Sequence, residues 1–83
     1  LKNKKIYCLQ LMVGWHDSGY RIEELEAWFS TKPTTKNLMD YFEVEANDQK
    51  SINAINKLLA GKLVKIDVSV YRLEPIEEYT FEE

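Results

Sequence analysis

His16, Asp17 and Ser18 bring together the three residue types of a serine hydrolase triad: a base, an orienting carboxylate and a nucleophile. Three adjacent residues cannot set the base between the other two, because a triad is a spatial arrangement with fixed hydrogen-bond geometry. Followed by Gly19, they read instead as a turn, in which Asp and Ser bond the nearby backbone and Gly takes positive φ. A turn of this kind is a loop tip, and His16 and Asp17 at its apex are candidates for touching a partner. The chain has one His and one Cys, with no Cys-x-x-Cys, His-x-x-x-His or acidic calcium loop, so neither zinc nor calcium is implied. Gly14, Gly19 and Gly61 are isolated and match neither the dinucleotide fingerprint nor the Walker pattern. No cofactor is implied, and the chain is expected not to be an enzyme.

What remains are residues suited to binding. Glu23, Glu24 and Glu26 lie in one segment and Glu74, Glu77 and Glu78 in another. If the two segments are neighbouring strands, these carboxylates form an acidic patch; the blander alternative is a solvated sheet face whose charges discourage edge-to-edge aggregation. Trp15 and Trp28 fit either an interface hot spot or the core, and core is the commoner fate of a large aromatic in so small a domain. Cys8 reads as a small buried hydrophobe.

The elements that position these residues emerge from periodicity. Tyr7, Leu9, Leu11, Val13 and Trp15 are apolar at every odd position, while Ile6, Cys8, Gln10, Met12 and Gly14 form a mixed even face, which predicts a strand over residues 4–15. Residues 20–30 are ambiguous. Ile22, Leu25, Trp28 and Phe29 fall at helical spacing, yet Tyr20-Arg21-Ile22-Glu23-Glu24-Leu25-Glu26 resembles Tyr71-Arg72-Leu73-Glu74-Pro75-Ile76-Glu77 further on. Pro75 within a helix would cost roughly 3 kcal/mol, whereas an edge strand or bulge accepts it. The later segment is therefore expected to be extended, and the earlier one with it, giving a β-hairpin, with a helix as the alternative.

Pro33 breaks the chain, and Thr34 or Thr35 is placed to cap a helix carrying Leu38, Met39, Tyr41 and Phe42 and ending near Glu43. A second helix is expected after Asn47-Asp48, turning Ile52, Ile55, Leu58 and Leu59 inward and stopping at Gly61. Val64, Ile66, Val68 and Val70 then predict a strand, with a bulge or turn where the phase slips near Val70-Tyr71. The expected fold is α+β: an antiparallel sheet of three to four strands with two helices on one face, in the order ββααβ(β), as a single domain over residues 1–83.

Composition supports a folded chain. Of 83 residues, 45% are hydrophobic, 12% aromatic and 30% charged. A chain of this length buries only about 60% of its unfolded surface and supports one core. The net charge of -3 argues mildly against binding through phosphate contacts, although Lys2, Lys4 and Lys5 make the amino end basic and Glu74, Glu77, Glu78, Glu82 and Glu83 make the carboxyl end acidic. The lone Cys8 points to a reducing compartment, the cytoplasm, and the apolar stretch over residues 6–15 is too short to span a bilayer.

In size, acidity and richness in Lys, Asn and Ile, the chain resembles the small accessory proteins encoded by phages and other mobile elements, including inhibitors of host defence nucleases. The likeness is one of size and composition, and no residue role is carried over with it. It implies a compact protein that occludes a site on a larger machine. The expected function is therefore protein binding, as an inhibitor or modulator of a larger, basic, nucleic-acid-handling host protein, through His16, Asp17, Tyr20, Glu24, Glu26, Trp28, Glu77 and Glu78. Two other readings stand beside it. One is a small sheet binding nucleic acid, with Tyr7, Trp28, Tyr71 or Tyr79 stacking on bases and Lys2, Lys4, Lys5 and Arg21 on phosphates. The other is a homodimer paired through the edge near residues 62–71.

Overall fold

The computed structural model of the chain describes residues 2–15 and 19–80. Strand β1 (Lys2–Trp15) pairs with β2 (Gly19–Phe29), helices α1 (Thr35–Phe42) and α2 (Gln49–Leu59) come next, and β3 (Val64–Ile66) and β4 (Ser69–Thr80) end the order. The four strands form one sheet in the order β2-β1-β4-β3, every neighbour antiparallel. The architecture is the α+β sheet with two helices expected from the pattern, and residues 20–30 take the extended alternative up to Phe29.

Both helices are closed by local chemistry. The Thr34 hydroxyl accepts from the Asn37 backbone N–H at 3.1 Å while Asn37 Oδ1 accepts from the Thr34 N–H at 3.0 Å, a reciprocal capping box. Asp48 caps α2, accepting from the Ser51 N–H at 3.2 Å and the Ser51 hydroxyl at 2.8 Å, and these bonds hold its carboxyl below the usual range. At the other end Gly61 has φ 88°. There the Lys62 N–H reaches the Lys57 carbonyl at 3.1 Å and the Gly61 N–H reaches that of Leu58 at 3.0 Å, the paired bonds of a Schellman motif.

The core lies between the helices and one face of the sheet. Leu38 from α1 and Ile55 and Leu58 from α2 close over Leu9 of β1 and Leu73 of β4, with Val64 and Ile66 of β3 at the side. Phe42 meets Tyr71 edge-on, the ring centroids 4.9 Å apart. This inner face carries the odd residues of β1, as alternation requires.

Two local expectations are refined. The reversal expected near Val70-Tyr71 occurs earlier, since β3 and β4 are joined through Asp67 and Val68 and Ser69 already pairs with Ile66. Asp67 supplies the positive φ that a two-residue hairpin connection needs, at 58°, a conformation Asp tolerates better than most residues. Pro75 sits in β4, which is an inner strand by order, but β3 reaches only to Tyr71, so beyond it β4 is itself an edge. Pro75 thus falls where no ladder on that side requires its missing N–H.

Candidate protein interface

The pairing of β2 on β1 is irregular at two places. Leu9 opposes Ala27 while Gln10 opposes Leu25, which leaves Glu26 as an extra residue; Leu11 opposes Glu24 while Met12 opposes Ile22, which leaves Glu23 as another. Each extra residue is a β-bulge and reverses the alternation of the residues on its far side. Ala27 and Phe29 face the helices and pack against the core. Past the bulge at Glu26, Leu25 shares the opposite face with Trp28, and past the bulge at Glu23, Ile22 and Tyr20 join them.

The apolar side of β2 is consequently turned away from the helix layer. Tyr20, Ile22, Leu25 and Trp28 are 42%, 43%, 49% and 53% exposed. Across the strand order the same outer face continues through the even residues of β1 to Val70 and Ile76 of β4. Cys8, Gln10 and Met12, in the middle of this face, are buried by the side chains around them.

At its centre is a polar cluster. Gln10 Nε2 donates to Glu74 Oε2 at 2.7 Å, Arg72 Nε and Nη2 donate to Gln10 Oε1 at 3.0 and 2.8 Å, and Arg72 Nη2 also reaches Glu74 Oε2 at 3.0 Å. Gln10 is 1% exposed, and its amide is satisfied at both ends. Beside it, burial raises the Cys8 thiol above its ordinary value; Gln10 opposes the shift and Glu74 adds to it. A thiol so held is a poor nucleophile.

The acidic residues are distributed differently from a single patch. β2 and β4 are separated by β1, so the two glutamate-bearing segments are not adjacent strands. Glu24 and Glu26 lie at the β2 edge beside Tyr41 of α1, where burial first and then Glu26 raise the Tyr41 hydroxyl above its ordinary value. Glu77 is set opposite Lys5, and Glu78 is placed on the β4 backbone opposite Lys4. His16 and Asp17 lie outside the described residues. Tyr20 and Trp28 stand on the outer face, on the other side of β2 from Glu24.

Several residues of this surface carry no functional signal of their own in the sequence. Gln10 reads there only as an interruption of an apolar run, and Arg72 and Leu25 only as members of a pattern; a polar residue in the middle of a central strand is the signal that leads to the cluster. Among the aromatic residues that could stack on bases, Trp28 does not share a face with Tyr7 and Tyr71. Trp28 is outside, whereas Tyr7 and Tyr71 pack against the core. An open groove of about 820 Å³ between α2 and β3 is bordered by Lys50, Lys57 and Lys65 but also by Asp48 and Asp67.

Among the described residues, no group of three or more His, Cys, Asp or Glu could hold a metal ion. Among them, too, no helix is long and apolar enough to cross a membrane. No family model, curated protein or solved structure matches the chain.

Proposed function

We propose that the chain is a non-enzymatic protein-binding module of the cytoplasm that inhibits or modulates a larger, basic, nucleic-acid-handling protein by occluding its surface. The observation that supports this reading is the construction of β2. It is an outermost strand, exposed from Gly19 to Leu25, with Glu23, Glu24 and Glu26 along an edge that no further strand among the described residues covers. Carboxylates on a free edge discourage self-pairing and at the same time offer a Lys- or Arg-rich surface a line of acceptors. Charge of this kind steers association and selects a basic partner. The resemblance to small phage-type inhibitors agrees in size and charge, and it is to such a host target that the reading points.

Charge reversal tests it. The double variant Glu24→Lys/Glu26→Lys is expected to weaken capture of the partner on the order of a hundredfold, with unchanged far-UV circular dichroism. Glu77→Lys/Glu78→Lys, set against β1 lysines and away from the β2 edge, is expected to have a smaller effect. Retention of full affinity by the β2 double variant would sink the acidic-edge reading. Capture that vanishes on nuclease treatment would assign the surface to nucleic acid instead.

A further inference from the structure

The acidic edge accounts for one side of β2 and leaves the other unexplained. On the outer face the half-exposed Tyr20, Ile22, Leu25 and Trp28 continue into Ile6 and Ile76, and among the described residues no helix covers them. This is a contiguous apolar surface of the kind that marks an interface.

The molecule is flatter and more extended than a compact domain of its length. The accessible surface is 6240 Å², where a compact monomer of 9.8 kDa exposes about 5,200 Å². The radius of gyration is 14.3 Å, against about 12 Å for a compact domain of this length, and the shortest dimension is 18 Å. The surplus, roughly 1,000 Å², is spread over both faces of the long sheet, and an interface of standard size takes about 800 Å² from each partner.

The charge of the face selects the occupant. Its centre holds one cation and one anion side by side, Arg72 and Glu74, whose guanidinium and carboxylate are 3.0 Å apart. A face built for a strongly basic or acidic partner would carry net charge of the opposite sign. At the centre of this face the charges balance, with Lys65 of β3, opposite Val70, further out. The centre is therefore complementary to itself, and a two-fold axis near Gln10 sets Arg72 of each copy against Glu74 of the other, as an isologous contact requires. We propose that the outer face of the sheet is the interface of a homodimer in which two copies stack sheet against sheet across the Gln10–Arg72–Glu74 cluster. The stack has helices outside and two sheets within, so the outer face of each sheet is covered and each acidic β2 edge stays open. The inference goes beyond the acidic-edge reading and does not depend on it.

Sedimentation equilibrium from submicromolar to high micromolar concentration tests it. The wild-type chain is expected at twice its monomer mass, and Leu25→Asp is expected to raise the dissociation constant on the order of a hundredfold while leaving the far-UV spectrum unchanged. A second pair of variants separates contact between copies from a merely structural role. Arg72→Glu gives the face two anions and Glu74→Arg gives it two cations, so each alone is expected to be monomeric, and an equimolar mixture is expected to form heterodimers. Each single variant leaves one end of the Gln10 amide without its partner inside the copy, so the far-UV spectrum of each is compared with wild type before its mass is read. A folded wild-type monomer at every concentration, or single variants that dimerise as well alone as when mixed, would overturn the proposal. Titration of a monomeric wild-type protein with a single-stranded oligonucleotide that quenches Trp28 would overturn it in favour of nucleic acid. Glu24→Lys/Glu26→Lys is expected to keep the dimer mass, so loss of the larger partner and loss of the dimer are read separately.

Discussion

Gln10 decides how the outer face is held. Placed at 1% exposure in the central strand, its amide would leave a donor and an acceptor without water, and Arg72 and Glu74 supply both partners. Removing one partner is worse than removing the polar group altogether, because a stranded buried acceptor costs about 1–3 kcal/mol. Arg72→Ala is therefore expected to lower stability by about that amount in a urea titration. Gln10→Leu, which takes away the buried group and leaves Arg72 and Glu74 to pair with one another at a half-exposed site, is expected to cost less. Equal losses for the two would mean that the cluster matters through packing and not through satisfaction of the amide. Cys8, read from the sequence as a buried hydrophobe, lies buried in the same face with a raised pKa.

The strand β2 explains both what the sequence discloses and what it conceals. Ile22, Leu25 and Trp28 recur every third residue, which resembles a helix, yet a strand with one bulge between each pair has the same spacing: two residues for the alternation and one for the bulge. The likeness to residues 71–77 and the proline in that segment resolve conformation, but not direction. Tyr71 and Leu73 face the helices whereas Tyr20 and Ile22 face outward, so the two similar segments present equivalent residues to opposite sides. No propensity encodes that, because the side of a strand is set by its pairing register and not by local preference. The helices are legible because their ends carry specific chemistry at Thr34, Asp48 and Gly61. The β3–β4 turn is not, because Asp67 gives a weaker signal than glycine. The bulges make a test at this scale. Deleting Glu26 removes the unpaired residue and keeps every pairing, so the hairpin is expected to survive with stability near that of wild type. Deleting Ala27 draws Glu26 into its place against the core and is expected to destabilise by more than about 2 kcal/mol, since a carboxylate then faces the apolar layer. Similar unfolding midpoints for the two deletions would contradict the register.

At the scale of the whole molecule, two thin layers must stabilise a long sheet. β1 extends over Lys2–Trp15, about 45 Å at the usual rise, whereas α2, the longer helix, covers about 16 Å. The helix layer thus shelters Leu9 and Leu73 but leaves much of the sheet to find cover elsewhere, and Gly14 shows how tightly the far end of the hairpin is drawn together: a Cβ there would collide with the Gly19 carbonyl and the Tyr20 Cα. If the outer faces of two copies complete each other, folding and association are one equilibrium and stability depends on protein concentration. A tenfold increase in concentration is then expected to raise the free energy of unfolding per dimer by about 1.4 kcal/mol and to move the urea midpoint upward with it. Leu25→Asp weakens the association without touching the core of Leu9, Leu38, Ile55 and Leu58, so its midpoint is expected to be lower and, below its raised dissociation constant, independent of concentration. A wild-type midpoint that stayed fixed across that range would mean that the single layer of helices suffices, and that the apolar side of β2 is exposed in the resting protein.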